Sequence, residues 1–297
     1  MVTLVRAPNP SAMTLSGTNS YLLDCGGGEA LIIDPGPAID RHIVALSEAA
    51  ASRRLTIRAI AVTHGHPDHA SGAPALAAAT GAVIYMHFNL PLGGKWQVGR
   101  ISLNVIDAPG HTFDHVIFYL PDERSLFTGD TILGEGTSVI APPDGAMRAY
   151  QRTLARLADE FPDARTIYGG HGPIVTDARA KIAEYIEHRR MREAQILDAL
   201  RDGPRTIPEI VRRVYGHERS VLWPAMARQI LAHLIALEAE GRVKAERADR
   251  PMTDEETAML NPRVEEIVGP AEAAVITAEL GTEMRLETLF AYHLTGA

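Results

Sequence analysis

The chain of 297 residues has a single cysteine, Cys25. That excludes an internal disulfide and any metal site built from clustered thiolates. Aromatic residues make up 5% of the chain and form no evident stripe on which unstacked bases would pile. No apolar run reaches the length of a membrane span. The segment Met1-Val2-Thr3-Leu4-Val5-Arg6 lacks the charged-then-apolar pattern of a secretory leader, so a cytoplasmic protein without a membrane partner is expected. Positive charge is also scarce: 29 Lys and Arg stand against 37 Asp and Glu, a net charge of −8. This balance gives no support to a general polyanion-binding surface. Only residues 181–250 carry a basic excess, 14 against 11, whereas residues 251–297 carry 2 against 9.

What is present falls into three stretches. Over residues 1–180, short apolar runs alternate with Gly/Pro turns. Strands are expected at 20–24, 30–34, 58–63, 82–86, 101–106, 115–120, 124–128 and 165–168. Helices are expected near 38–52, 70–80 and 145–160, with Asp144 as N-cap of the last. This mixture implies a layered α/β catalytic domain.

Over residues 181–250 the texture becomes helical. Asp177 to Leu200 reads as one helix leading into this stretch, and Thr206-Ile207-Pro208-Glu209 is a capping box opening a second. A third runs from about Pro224 to Glu240 and stops at Gly241, before a short strand at Arg242-Val243-Lys244-Ala245. Three helices and a strand suggest a small, mainly helical, winged-helix-like domain. Residues 251–297 are broken by Pro251, Pro262 and Pro270, with Ala271 to Leu280 expected as a helix. This tail is expected to cover a domain surface or to form a homodimer contact.

The densest chemistry is Thr63-His64-Gly65-His66-Pro67-Asp68-His69, right after the apolar run Ile60-Ala61-Val62. Alternate residues of an extended chain point the same way, so His64 and His66 can converge on one metal. A turn at Pro67 then lets Asp68 and His69 aim at a second. Three more ligand-capable residues sit in Gly-bearing turns after apolar strands: His111, Asp130 and His171. Coordination needs then divide the set. One ion takes His64, His66 and His111, the other takes Asp68, His69 and His171, and Asp130 bridges them, leaving room for a bridging hydroxide. Two ions about 3.5–4 Å apart acidify that water and clamp developing negative charge, which is the chemistry of a hydrolase. The N and O donors favour Zn²⁺, with Mn²⁺ or Fe²⁺ compatible.

His64-Gly65-His66-Pro67-Asp68-His69, Pro109-Gly110-His111-Thr112, Gly129-Asp130-Thr131 and Gly170-His171-Gly172 together resemble the metallo-β-lactamase superfamily. The resemblance implies a four-layer αβ/βα sandwich with the metals at one edge of the sheets. It also implies that Asp68 is the catalytic residue that orients the attacking hydroxide, and that Asp34 supports the ligands.

Several branches fit less well. Flavodiiron-type relatives lose the histidine that His66 supplies. Class B β-lactamases lack the bridging Asp130, and several use a cysteine ligand, for which Cys25 is misplaced. Glyoxalase II enzymes carry a Gly-Cys-Gly-Arg loop where this chain has Leu133-Gly134-Glu135-Gly136-Thr137.

The nearest likeness is to the β-lactamase-like endoribonuclease branch. It rests on residues 13–19 and 129–137, on Gly170-His171-Gly172-Pro173, and on His188-Arg189-Arg190, Arg192-Glu193 and Gln195-Ile196-Leu197 before the winged-helix-like domain.

The first functional expectation is therefore a phosphodiesterase on single-stranded RNA, with Arg189, Arg190, Arg212 and Arg213 guiding the backbone. The simpler use of these arginines is a solvated helix face paired with Glu184, Glu187 and Glu193. The alternative is a hydrolase of thioesters, lactones or other small acyl substrates. Sequence-specific DNA binding is not expected. A recognition helix near 223–240 would have Arg228 as its one strong base before Arg242, leaving Tyr215 and Trp223 as packing residues. His115 is expected beside the ligands, and His42, His87, His188, His217, His233 and His293 away from them.

Overall fold

The computed structural model describes residues 2–216, 222–260 and 289–295. Two five-stranded sheets face each other. The first has the order β1 (Val2–Arg6), β2 (Asn19–Asp24), β3 (Glu29–Ile33), β4 (Thr56–Ala61), β5 (Val83–Tyr85). Its first three strands pair antiparallel and its last three parallel. The second has β10 (Thr166–Gly169), β9 (Ser125–Gly129), β8 (Val116–Leu120), β7 (Ile101–Asp107) and β6 (Lys95–Val98), with only β10–β9 parallel.

Alternation along the strands sends Tyr21, Leu31, Ile33, Val105, Phe118 and Phe127 into one core between the sheets. The opposite face of the first sheet packs on α1 (Asp40–Ala51) and α3 (Ala73–Thr80) through Leu22, Ile32, Leu46, Ile60 and Leu76. The opposite face of the second packs on α4 (Met147–Glu160) and α5 (Ala178–Ala199). The result is the four-layer αβ/βα arrangement.

Parallel strands and their neighbours end on a common edge, and the expected ligand turns all follow strand ends there: β4, β7, β9 and β10. Backbone bonds across the sheets close this edge. Val116 N donates to Thr63 O at 2.8 Å, and Asn19 N to Gly170 O at 2.7 Å.

The rest of the chain packs into a second core. It joins the end of α5 to α6 (Ile207–Tyr215), α7 (Trp223–Ala239) and α8 (Asp254–Leu260), with Ile196, Ile210, Trp223, Leu234 and Leu260 inside. The Thr206–Glu209 capping box forms as expected. The expected strand at 242–245 is β12 (Val243–Arg247), the edge of a three-stranded sheet ordered β11 (Arg205–Thr206), β13 (Phe290–Leu294), β12.

Several expectations differ from the structure. The β1 and β6 strands were not foreseen. The helix expected at 70–80 is two pieces, α2 (Pro67–Ala70) and α3, because Gly72 packs against the Gly36 and Pro35 carbonyls, where a side chain would lie 2.8 and 2.9 Å away. Asp144 does not cap α4. The N-cap is Ala146, without a side-chain bond, and Asp144 faces His66 instead. The tail is not wholly separate, since β13 is the central strand of the small sheet and α8 packs in its core. The helix expected at 271–280 lies outside the described residues.

Glu256 illustrates how that second core is held. It is buried, takes both Arg250 guanidinium nitrogens at 2.8 Å, and accepts from Thr253 N at 2.9 Å. Those bonds, Arg250 first, hold its carboxyl down to about 2 from 4.5. A depressed carboxyl contributes stability above its unfolded value, and that contribution fades as pH falls from 4.5 toward 2. Glu256→Gln is expected to cost about 1–2 kcal/mol at neutral pH. Urea unfolding followed from pH 7 to 3 should show the gap to the parent narrowing below pH 4.5.

Candidate metal centre

All seven expected ligands, His64, His66, Asp68, His69, His111, Asp130 and His171, are buried and meet at the common sheet edge. Their approach is close. His66 Nδ1 lies 3.1 Å from both His64 Nε2 and His111 Nε2. His69 Nε2 and His171 Nε2 lie 3.3 Å apart, and each is 3.3 Å from Asp68 Oδ2. Asp130 spans the groups: its Oδ1 is 3.3 Å from His69 Nε2, and its Oδ2 is 3.3 Å from His171 Nε2 and 3.9 Å from His111 Nε2.

The surrounding bonds set which nitrogen faces inward. Asp34 accepts from His69 Nδ1 at 2.8 Å, from Thr63 Oγ1 at 2.8 Å and from Thr63 N at 2.7 Å. Carboxylate and carbonyl acceptors require a proton on the outer nitrogen, which leaves the inner one with a lone pair. The Val139 carbonyl does this for His111 Nδ1 at 2.8 Å. Thr63 Oγ1 is also 3.0 Å from His64 Nδ1. Asp34 has φ 52, a left-handed backbone held by these bonds.

His115 lies beside the ligands as expected. Its ring stacks on His64 with centroids 4.8 Å apart, and its Nε2 accepts from Asp130 N at 3.1 Å. Thr18, whose part was not foreseen, donates to Asp68 Oδ2 at 3.0 Å from 50 residues away. Nothing local in the sequence flags that bond. Asp144 reaches His66 Nε2 at 3.5 Å from the rim.

The titration of the cluster is divided. Burial drives His64 and His115 well below the ordinary histidine value and His111 down to about 4, and neighbouring imidazoles add to it. Burial opposes charge on His69 and His171 too. There Asp68 and Asp130 win, raising His69 well above its ordinary value and His171 to about 10. Asp68 and Asp130 are held low against their own burial, Asp68 chiefly by His69 and Asp130 chiefly by His171.

The donor set fits divalent metal ions. Three groups have donor atoms within 4.8 Å of one another: His64, His66 and His111; His64, His69 and Asp130; Asp68, His69 and His171. Asp130 Oδ1 is buried without a hydrogen bond, as is His171 Nδ1. Lone pairs of buried imidazoles that converge at about 3 Å repel unless a proton or a cation lies between them. A metal ion replaces those protons at the same points.

The other histidines stay apart. His42 bonds Ser20 at 2.9 Å and His87 Asp107 at 3.2 Å, while His293 lies 3.3 Å from Glu246. His188 and His233 lie on α5 and α7, and His217 is outside the described residues.

The arginines expected to guide a polyanion are engaged elsewhere. Arg189 is fully buried and does not lie on a solvated helix face. Arg212 pairs with Glu255 at 3.1 Å and Arg213 with Asp202 at 3.0 Å. Arg190 is exposed and 4.0 Å from Glu187. No helix among the described residues is long and apolar enough to cross a membrane.

Comparison with known proteins agrees with this architecture. The family model described as the metallo-beta-lactamase superfamily matches residues 13–89 and 97–171, and the beta-lactamase associated winged helix domain matches residues 206–250. A beta-lactamase-like protein 2 homolog of Drosophila melanogaster is 32% identical over 280 residues, 86% of this chain and 92% of that protein. An atrochrysone carboxyl ACP thioesterase of Aspergillus chevalieri is 32% identical over 274 residues, 82% of this chain and 85% of that protein. A metallo-beta-lactamase family protein of Thermus thermophilus superposes with a TM-score of 0.69 at 25% identity, over 82% of this chain and 95% of that one. With its ligand-capable cluster at the sheet edge and a winged-helix domain behind it, the chain belongs to the metallo-beta-lactamase superfamily of hydrolases.

Proposed function

We propose that the chain is a two-metal hydrolase of carboxylic thioesters and related small acyl substrates, in preference to an RNA phosphodiesterase. His64, His66 and His111 would hold one divalent ion, Zn²⁺ first, and Asp68, His69 and His171 the other, with Asp130 between them. Bound there, the two ions supply an acidified water and neutralise charge that develops on the substrate oxygen.

The chain's own residues do the positioning. Thr18 fixes Asp68 through Oδ2, and Asp68 orients the attacking water toward the carbonyl carbon. Asp34 and Val139 fix the rings of His69 and His111.

The observation that carries the choice of substrate is the charge around the mouth. Asp144 stands exposed at the rim beside His66, and Asp114 lies against the exposed turn at Gly65. Phe113, next to Asp114, is 55% exposed. Two carboxylates and an apolar ring suit a neutral acyl compound, whereas a ribose-phosphate backbone would meet like charge there. Of the arginines meant to offset that repulsion, Arg189 is buried, Arg212 and Arg213 are paired with acids, and only Arg190 stands exposed. The thioesterase activity named for the Aspergillus relative is consistent with this reading.

The test presents two substrates to the purified protein loaded with Zn²⁺ or Mn²⁺: an acyl-N-acetylcysteamine thioester and a labelled single-stranded RNA. Release of free thiol is expected, and it should vanish with a chelator or in Asp68→Ala. RNA cleavage that is lost in the same two controls, without thiol release, would overturn the proposal.

A further inference from the structure

The α5 helix and the winged-helix module meet the metal-centre edge at the loop of residues 131–140, which follows Asp130 and supplies the Val139 carbonyl to His111. Two residues of α5 and one of the module's α7 close on that loop.

Arg189 of α5 is fully buried, and its Nη2 donates to Ser138 O at 2.8 Å. Gln229 of α7 bridges the same two groups. The amide oxygen accepts from Ile140 N at 3.3 Å; a guanidinium only donates, so the swapped amide, oxygen toward Arg189 Nη1 and nitrogen donating to Ser138 O at 3.2 Å, satisfies both groups instead. Tyr185 of α5 accepts from Leu133 N at 2.9 Å and donates to Gly136 O at 3.1 Å. The guanidinium also sits over the ring of Tyr150, 5.0 Å from its centroid, and the Tyr150 hydroxyl donates to Thr131 O at 2.6 Å. Both ends of the loop are therefore tied to one buried cation.

Such a cation is expensive to bury. Among the described residues no carboxylate forms an ion pair with Arg189, and its Nε has no hydrogen-bond partner. A hydrophobic side chain would fill this space at lower cost, so stability does not account for it. What Arg189 does supply is a fixed position for Ser138 O, and hence for the adjacent carbonyl of Val139. That carbonyl decides whether His111 presents its Nε2 lone pair inward.

The module's own geometry agrees with such a task. The α7 helix, where a winged helix would read a nucleic-acid groove, is buried along most of its length from Trp223 to Leu237. Ala232 and Ala236 of α7 share the core that contains Tyr150, Tyr185 and Leu154 of the catalytic side.

We propose that α5 and the winged-helix module packed on it brace the metal centre, and that Arg189 is a positioning residue that aims His111 through the Ser138–Val139 backbone. This rests on the metal ligands alone and stands whichever substrate is cleaved.

The experiment measures metal affinity, not turnover. Arg189→Met and Gln229→Met are titrated with Zn²⁺ against a competing chelator. The Co²⁺-substituted proteins are compared by visible absorption, and folding is checked by circular dichroism. The exposed neighbour Arg190→Met serves as control. Arg189→Met is expected to bind the ion at His64, His66 and His111 about 10- to 100-fold more weakly, with an altered Co²⁺ spectrum. The second ion should be retained. Gln229→Met, which leaves the cation in place, should show a smaller loss in the same direction and decides the matter if Arg189→Met fails to fold. Parental affinity and an unchanged Co²⁺ spectrum in a folded Arg189→Met, or in Gln229→Met if that is the variant that folds, would overturn the brace. So would an equal loss in Arg190→Met.

Discussion

Gly170→Ala is expected to empty the metal centre while leaving the two sheets folded. A Cβ at this position would overlap Asp130 Oδ1 and lie 2.6 Å from His69 Cε1 and 3.2 Å from the Gly129 carbonyl carbon. None of these neighbours can yield without breaking the arrangement at the centre. Asp130 is buried with its N–H bonded to His115, and His69 is pinned by Asp34 at 2.8 Å. The backbone at Gly170 cannot retreat either. Its N–H bonds Gly129 O at 2.8 Å, and its carbonyl accepts from Asn19 N at 2.7 Å. The methyl group therefore displaces the one carboxylate that reaches both histidine groups. Zinc content should fall below one ion per chain, and turnover should drop by at least about a hundredfold. Elemental analysis of the purified variant, with circular dichroism to report the fold, decides it. A folded Gly170→Ala protein with its full metal complement would mean that Asp130 does not occupy the space between the groups.

The same crowding explains what could be read from the sequence. The ligands were legible because their signals are local. His64 to His69 lie in one turn, and His111, Asp130 and His171 each sit in a Gly-bearing turn after an apolar run. Most strands of the two sheets were legible as apolar segments bounded by turns.

The β1 and β6 strands were not, for different reasons. The β1 strand is an edge strand of half-buried residues, Thr3 among them, that ends on the exposed Arg6. The β6 strand has four residues, alternates exposed and buried, and follows Gly93 and Gly94. Edge strands bury little, so the apolar pattern is weak. Partnerships across long stretches of chain were illegible for another reason. Thr18 meets Asp68, Arg189 meets Ser138, and β13 enters between β11 and β12 through packing that no local window contains. Arg189 misled most. An arginine beside Arg190 on a helix reads as solvated, and only the approach of the 131–140 loop and Gln229 turns its side chain inward.

Asp68→Ala is expected to lower kcat by about a thousandfold or more while the fold survives. Asp68 contributes no cap bond to its helix and no apolar packing, so its removal leaves the α2 turn, opened by Pro67, intact. Its whole set of contacts is functional: Oδ2 meets His69 Nε2 and His171 Nε2 at 3.3 Å and Thr18 Oγ1 at 3.0 Å. Without the carboxylate, His69 and His171 keep only Asp130 as a shared anionic partner at the centre, and the ion they would hold loses its one unshared oxygen donor. Metal content should therefore drop from about two ions per chain to about one, since His64, His66 and His111 do not depend on Asp68. Asp68→Asn separates the two duties. Its amide oxygen can still meet an ion or Thr18, but the group carries no charge and is a poor acceptor for the proton of the attacking water. Asp68→Asn should thus retain more metal than Asp68→Ala and yet remain nearly as inactive. If instead activity tracks metal content across the two variants, Asp68 serves as a ligand and the orientation of water falls to another group.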